Sequence, residues 1–259
     1  MTARRFLRGI GLHASIEEDG FTPGAYVMSI GDAEQSHVNM GHPEEIFYEY
    51  LRRMGNVVDL LAPAGQPIRA LHLGAGALTL ARYIQATRPG SIQVAVELER
   101  ELLDFVLDAL PLPAGTKLTT RVGDARAELA ELAAAENAEL FDCIVLDIFS
   151  GPEAPEHIAC TEFYQEAAAM LAPGGVLLVN VGDEPGLTLV RSQVAAMRRA
   201  ITDVAATAES GMFAGRYPGN IILLGTTTAF PPEWSPALVA AGPHPARVLT
   251  GVDLDPISD

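Results

Sequence analysis

The sequence has few basic residues and few cysteines for its length of 259 residues, and aromatic side chains make up only 6%. Lysine and arginine total 17 against 33 acidic residues, which gives a formal net charge of −16. Because an acidic surface repels a phosphate backbone, we expect no nucleic-acid partner. The same excess of acid would suit a cationic substrate, although it also serves solubility alone.

The shortage of cysteine and of long apolar runs argues against several further classes of protein. Cys143 and Cys160 fit neither a C-x-x-C redox motif nor a zinc motif, and the histidines are not at metal-ligand spacing. No apolar run reaches the roughly 18 residues of a membrane-spanning helix, and the N-terminus lacks the apolar stretch of a signal peptide. The sequence therefore predicts a reduced, cytoplasmic protein with no membrane partner and no metal.

The chain divides into three regions by pattern. Residues 1–66 form a short N-terminal region, with a strand or hairpin predicted over 24–30 and a helix over 42–61 that a proline and two acids open. Residues 67–230 alternate apolar runs with helical patterns. Residues 231–259 are rich in proline and small residues, and this composition predicts a weakly structured tail.

The middle region predicts an α/β fold. Strands are predicted over 68–74, 92–97, 117–122, 143–148, 176–181, 201–208 and 220–226. Helices are predicted over 77–87, 99–110, 125–136, 161–171 and 187–200. This alternation indicates a doubly wound, mostly parallel, seven-stranded sheet of the Rossmann type. Only residues 209–219 join the last two strands, which favours an antiparallel last strand.

The residues that follow each strand are the informative ones, because ligands bind at the carboxyl ends of a parallel sheet. Gly74-Ala75-Gly76 follows the first strand, and Glu97 ends the second, about twenty residues later. Gly123-Asp124-Ala125 follows the third, and Asp147 lies at the end of the fourth. Taken singly, these are a tight turn, a solvated strand end and helix caps; in this order they suit an adenosine-containing ligand with a sulfur substituent.

The series resembles the class I fold that uses S-adenosylmethionine-type ligands, and residues 142–164 (DCIVLDIFSGPEAPEHIACTEFY) carry the likeness further. They are similar to the spermidine synthase (polyamine aminopropyltransferase) family, which reads D-x-x-x-x-D-S-T-D-P-x-G-P-A-x-x-L-F-x-x-x-F-Y there. Three further stretches resemble its D-G-x-x-Q, Y-x-E-M and T-Y-P-S-G motifs: Gly31-Asp32-Ala33-Glu34-Gln35, Phe47-Tyr48-Glu49-Tyr50 and Arg216-Tyr217-Pro218-Gly219. The motifs keep their order from about residue 25 to 226.

This resemblance implies a role for each matching residue. The implied nucleoside contacts are Gln35, Gly74, Ala75, Gly76, Glu97, Leu98, Asp124, Ala125 and Asp147. Among them, Gln35 and Glu97 would hold the ribose, and Asp124 with Ala125 would hold the adenine. The implied amine contacts are Tyr48, Glu156 and Tyr217. The implied catalytic residues are Asp147 and Ser150, with Glu156 or Asp183 as helpers.

Three departures from the family pattern affect the binding of a cationic amine. Ala77 stands where the family has an aspartate that holds the amino group of the transferred chain. Ser150 stands at the family's proton acceptor, an aspartate, and Phe47 replaces a tyrosine. Each lost charged hydrogen bond is worth about 1.5–3 kcal/mol, so the departures leave the identity of the acceptor open.

The resemblance implies a transferase of the EC 2.5.1 type in polyamine biosynthesis. It would move an aminopropyl group from the co-substrate decarboxylated S-adenosylmethionine to an amine or polyamine, without a prosthetic group or metal. Two alternatives stay open: a small-molecule methyltransferase that uses S-adenosylmethionine, and a catalytically inactive nucleoside-binding protein. Relatives commonly pair as dimers or tetramers, so the resemblance allows a homodimer and leaves the oligomeric state open.

Overall fold

The N-terminal region forms a four-stranded antiparallel sheet in a computed structural model that describes residues 2–148 and 155–257. Its strands, in order across the sheet, are β1 (Thr2–Leu7), β2 (Leu12–Glu18), β3 (Ala25–Ile30) and β4 (Ala33–Asn39). The predicted hairpin is β3–β4, which turns at Gly31 with a φ of +60°. Strands β1 and β2 were not predicted, because they are short and half exposed and their apolar alternation is weak.

The first helix, α1 (Glu49–Leu61), begins later than the predicted residue 42. The preceding segment follows a different path because the Asn39 side chain accepts hydrogen bonds from the backbone N–H groups of Gly41 and His42, at 3.1 and 3.0 Å. Tyr48 then has an extended backbone, with φ −73° and ψ 127°. The acids at positions 44 and 45 therefore precede the helix instead of opening it.

The remaining strands form one eight-stranded sheet. Its strands are β5 (Arg69–Leu73), β6 (Ile92–Glu97), β7 (Lys117–Val122), β8 (Phe141–Leu146), β9 (Leu171–Asp183), β10 (Asp203–Glu209), β11 (Gly219–Thr226) and β12 (Ala246–Thr250). Their spatial order is β12-β10-β11-β9-β8-β5-β6-β7. The pairs from β9 to β7 are parallel, whereas β11 is antiparallel to both β9 and β10. This confirms the predicted α/β class and the antiparallel pair.

Helices cover both faces of this sheet. They are α2 (Thr79–Thr87), α3 (Arg100–Ala109), α4 (Ala125–Ala133), α5 (Thr161–Ala169), α6 (Thr188–Ala200), α7 (Ser210–Phe213) and α8 (Trp234–Ala241), with 3₁₀ turns at Glu156–Ile158 and Gly251–Ile257. Apolar side chains of the N-terminal sheet, including Leu7, Ile16 and Met28, share a buried cluster with residues of α2 and α3. The small sheet is therefore packed beside the carboxyl edge of the large one.

The expectation of seven strands and a weakly structured tail is wrong. Residues after 230 form α8 and β12, and β12 pairs antiparallel with β10 at the sheet edge. Trp234, Leu238 and Leu249 are buried there, and the Phe230 and Trp234 rings lie 5.8 Å apart. The sequence pattern of this helix and strand is weak because prolines interrupt it. The apolar side chains that pack on the sheet are therefore spread over several short stretches. The division of the chain at residues 66 and 230 stays a prediction.

The order of the strands defines where a ligand can bind. The chain winds outward from β5 to β7 on one side and from β8 to β9 on the other, so the winding reverses between β5 and β8. Both strands end at the same edge because they are parallel. Separately, none of the helices within residues 2–148 and 155–257 has the length and apolar character needed to cross a bilayer.

Candidate active site

A cavity of about 800 Å³ opens at this edge, between the large sheet, α1 and the N-terminal sheet. Most of the predicted site residues line it: Gln35, Tyr48, Gly74, Ala75, Gly76, Glu97, Leu98, Asp124, Ala125 and Asp147. They come from the ends of β5 to β8, from β4 and from the residue before α1. The fold therefore brings residues from six separate stretches of sequence to one wall.

The turn after β5 needs glycine at its first position. Gly74 has a φ of +91°, and a methyl group there would lie 2.3 Å from the carbonyl oxygen of Asp147. The backbone N–H of Asp147 in turn donates to the Leu73 carbonyl at 2.9 Å. Because a side chain at position 74 would push β5 and β8 apart, this glycine fixes the distance between the turn and Asp147.

Glu97 connects the turns that follow β5 and β6. One carboxylate oxygen accepts from the backbone N–H of Ala75 at 3.1 Å, and the other accepts from that of Glu99 at 3.0 Å. Glu97 lines the cavity, and each of its oxygens has a second lone pair that can accept a hydroxyl hydrogen of a ligand. The carboxylate can therefore hold the glycine turn and a ribose together.

Asp124 is the N-cap of α4. Its Oδ1 accepts from the backbone N–H groups of Arg126 and Ala127, at 3.1 and 3.0 Å, and its Oδ2 lies 2.7 Å from His157 Nε2. Burial acts to raise the pKa of Asp124, but the hydrogen bonds from His157 and the backbone outweigh it, and the pKa is lowered. Asp124 is thus an ionised cap whose outer oxygen faces a histidine.

Asp147 lies just after the end of β8 and has two side-chain donors. Asn180 Nδ2 donates to its Oδ1 at 2.8 Å, and the Tyr50 hydroxyl donates to its Oδ2 at 3.3 Å. Burial raises the pKa of Asp147, and the hydrogen bonds from Asn180 and Tyr50 act in the opposite direction. A desolvated carboxylate held from both sides is suited to accept a proton from a ligand.

Several residues of the cavity wall were not predicted. They are Tyr50 and Arg53 on α1, His72 in β5, His157 in the 3₁₀ turn Glu156–Ile158, and Asn180 in β9. Two of them had a weak signal in the sequence, since Tyr50 belongs to the aromatic stretch before α1 and Asn180 is a polar residue in an apolar strand. His72 lies in a buried-looking strand, which fits a core or ligand-edge residue, whereas Arg53 had no signal because its position follows only from how α1 packs.

His72 is a neutral wall residue. Gln93 Nε2 donates to the Ala81 carbonyl at 3.0 Å, so Gln93 Oε1 is the acceptor that faces His72 Nε2 at 2.9 Å. His72 therefore carries its proton on Nε2. Burial lowers the pKa of His72 to about 4, which keeps the ring uncharged at neutral pH.

Among residues 2–148 and 155–257, three of the predicted residues do not line this cavity. Glu156 is exposed in its 3₁₀ turn, and Tyr217 is 41% exposed, with its hydroxyl against Gly211. Asp183 accepts from the backbone N–H of Val190 at 2.7 Å and so holds the start of α6. The amine-binding roles of these residues stay predictions, and Ser150 falls outside the described residues.

Comparisons with known proteins find spermidine synthases and polyamine aminopropyltransferases among the similar proteins. No family model matches the chain. A probable spermidine synthase from Corynebacterium glutamicum is 30% identical, with a TM-score of 0.83 over 95% of this chain and 91% of its own. The polyamine aminopropyltransferase of Neisseria meningitidis serogroup A is 26% identical over 154 residues, 58% of this chain. The chain spans 54% of that relative, about half its length.

A more distant structure shows the fold alone. A spermidine synthase in complex with the transition-state analogue AdoDATO superimposes with a TM-score of 0.60 at 13% identity, over 90% of this chain and 75% of its own. The likeness thus extends over most of this chain, although few residues are shared.

Proposed function

This chain belongs to the spermidine synthase family, and we propose that it transfers an aminopropyl group from decarboxylated S-adenosylmethionine to an amine. The observation that carries the proposal is the common cavity: Asp147, held between Tyr50 and Asn180, faces the same space as Glu97 and the glycine turn. A nucleoside and an attacking amine can therefore meet there.

The proposed donor end of the cavity consists of Gly74–Gly76, Glu97 and Asp124. Glu97 would accept hydrogen bonds from the ribose hydroxyls, and the outer oxygen of Asp124 would accept from the exocyclic amine of adenine, in competition with His157. Gln35 lines the cavity from β4 and would close on the ribose from the other side. The glycine turn would let the sulfur approach the backbone without a side chain between them.

The proposed acceptor end consists of Tyr50, Arg53, Asp147 and Asn180. The amine nitrogen would attack the propyl carbon next to the sulfonium, forming a C–N bond while the C–S electron pair returns to sulfur and methylthioadenosine leaves. An alkylammonium has a pKa near 10, so it must lose a proton before it attacks. Asp147 would accept that proton, since its desolvated carboxylate binds a proton more readily than an ordinary aspartate.

The amino group of the transferred chain needs a carboxylate that position 77 does not supply. Ala77 is buried, and its N–H donates to Ser36 Oγ at 3.1 Å. Glu34 lines the same cavity as the glycine turn and accepts from the Tyr48 hydroxyl at 3.1 Å. We assign Glu34, oriented by Tyr48, to this cation, because an ion-paired hydrogen bond is the usual means of holding an ammonium group.

Methyl transfer from intact S-adenosylmethionine is the second candidate, and Ala77 is the observation that favours it. Calorimetric titration with both donors separates the two. Binding of the decarboxylated donor, together with an acceptor that gains one aminopropyl group by mass spectrometry, supports the proposal. Binding of the carboxylated donor alone, with a methylated product, contradicts it.

A further inference from the structure

Arg53 lines the cavity, and one of its hydrogen-bond donors is buried and unmet within the described residues. It lies in α1 one turn after Tyr50, and its side chain is only 3% exposed. Its Nη2 donates to the Pro243 carbonyl at 2.9 Å, and the nearest Glu49 oxygen is 3.5 Å away. Its Nη1 is buried and has no hydrogen-bond partner within the described residues. A desolvated guanidinium N–H without an acceptor is costly, so its position needs an explanation.

The acids around Arg53 do not remove this cost. Glu49 is 58% exposed, so solvent screens its interaction with the guanidinium. Glu209 attracts Arg53 as well, but its Oε2 accepts from the backbone N–H of Gly211 at 3.1 Å. Both acids balance the charge of Arg53, yet neither supplies an acceptor for Nη1.

A complementary unmet acceptor lies in the same cavity. Asn180 directs its Nδ2 to Asp147, and its Oδ1 is buried with no hydrogen-bond partner within the described residues. An attacking amine has two N–H groups to place, and one carboxylate together with one amide oxygen would accept both. The acceptor end therefore offers two acceptors, the Asp147 carboxylate and Asn180 Oδ1. It also offers one cationic donor, Arg53, which lies one helical turn after Tyr50 on α1, where residues three apart are neighbours.

We propose that the acceptor substrate is an amine whose other end carries a carboxylate. Its nitrogen binds Asp147 and Asn180, and its carboxylate binds Nη1 of Arg53. A second ammonium group, as in a diamine, has no acceptor atom to offer and would leave Nη1 unmet. That the bound amine is the acceptor of a transferred group rests on the proposed function. The pairing of Arg53 with an anion rests only on the unmet donor Nη1.

The test is calorimetric titration of the full chain with three ligand series of three to five carbons: ω-amino acids, diamines and monoamines. Each series is titrated into protein saturated with methylthioadenosine and into protein without it. At the best chain length, the ω-amino acid should bind at least about tenfold more tightly than the monoamine, as one charge-assisted hydrogen bond allows. Diamines that bind as tightly as ω-amino acids at every length would overturn the inference.

Two variants locate the effect. Arg53→Met should abolish the preference for the carboxylate, whereas Asn56→Ala should keep it. Asn56 is the matched control because its Nδ2 donates to the Gly242 carbonyl at 2.7 Å, so it holds the same loop as Arg53 without lining the cavity. An unchanged preference in Arg53→Met would overturn the inference, and should that variant not fold, the wild-type ligand series decides alone.

The two proposals fail separately in this design. Protein that does not bind methylthioadenosine contradicts the proposed transfer reaction, and the titrations without nucleoside then still decide on Arg53. Protein that binds methylthioadenosine but prefers diamines keeps the transfer reaction and removes only the carboxylate inference.

Discussion

The donor end of the cavity is built from turns that directly follow strands, whereas the acceptor end is built mainly from α1 and from the interior of β9. Gly74, Glu97 and Asp124 each come at or just after the last residue of a strand, and their hydrogen bonds are mostly to backbone within a few residues or across neighbouring turns. Tyr50 and Asn180 reach Asp147 from 97 and 33 residues away in the chain. The donor end is thus a property of the sheet edge, and the acceptor end is a property of the packing of α1.

This contrast matches where the chain departs from its family. The donor-end glycines and acids keep the family pattern, while the departures at Phe47, Ala77 and Ser150 concern the binding or deprotonation of amines. Under the proposed transfer reaction, Phe47 and Ser150 alter the acceptor side, whereas Ala77 alters the contact to the amino group of the donor chain.

Replacing Asp147 by asparagine should have the largest effect on activity. Loss of a proton acceptor lowers kcat/KM by about 10²–10⁴-fold with the best amine acceptor. Methylthioadenosine affinity should change little, since the donor end is untouched. Stopped assays and calorimetry measure the two quantities, and a variant that keeps the full transfer rate would exclude Asp147 as the base.

The same carboxylate sets the pH dependence. Because burial raises the pKa of Asp147, the rate should fall on acidification at a pH above the usual range of an aspartate, where the protonated carboxyl can no longer accept a proton. Stability has the opposite sign: the raised pKa favours the folded state at low pH, and this contribution is lost as the pH rises through the folded pKa. The Asp147→Asn variant should lack both dependences.

Replacing Gly74 by alanine should damage the donor end through the backbone. The methyl group meets the Asp147 carbonyl at 2.3 Å, so we expect a loss of about 3 kcal/mol or more in the free energy of unfolding. Gly174→Ala is the control, because Gly174 has a similar φ of +79° but open space around it, and should lose only about 1–2 kcal/mol. The free energies of unfolding are measured by urea denaturation. Equal losses in the two variants would mean that backbone strain, and not contact with the Asp147 carbonyl, destabilises Gly74→Ala.

Replacing Tyr50 by phenylalanine should have a moderate effect confined to the acceptor end. The lost hydrogen bond is worth about 1 kcal/mol, so the rate should fall by about fivefold. Because Tyr50 acts to lower the pKa of Asp147, its removal should also shift the acidic limb of the pH–rate profile to higher pH. A lower rate with an unshifted profile would show that Tyr50 only packs against the cavity.

Replacing His157 by alanine should have the smallest effect. It frees the outer oxygen of Asp124, whose backbone bonds to Arg126 and Ala127 remain. We expect methylthioadenosine affinity to change by less than about threefold, since the exposed pair is screened by solvent. A tenfold loss in calorimetry would mean that His157 itself contacts the nucleoside.

Much of the fold follows from local pattern. The predicted strands over 92–97 and 117–122 agree with β6 and β7 to the residue, because both are short runs rich in β-branched residues between clear breaks. Strands β1 and β2 and the α8–β12 segment were missed, since partly exposed strands and proline-rich stretches have weak periodicity. Helix α1 was predicted too long, because the side chain of Asn39 competes for the backbone before it.

The sequence by itself determined the wound sheet, the family and the strand-end residues of the cavity wall, because those depend on strand periodicity and on residues next to strand ends. Only the tertiary structure decided that Tyr50, Arg53 and Asn180 share a cavity with Asp147. Their side chains meet through the packing of a helix on a sheet, and spacing along the chain does not encode that contact. The unmet donor of Arg53 and acceptor of Asn180 exist only because this packing removes both atoms from water.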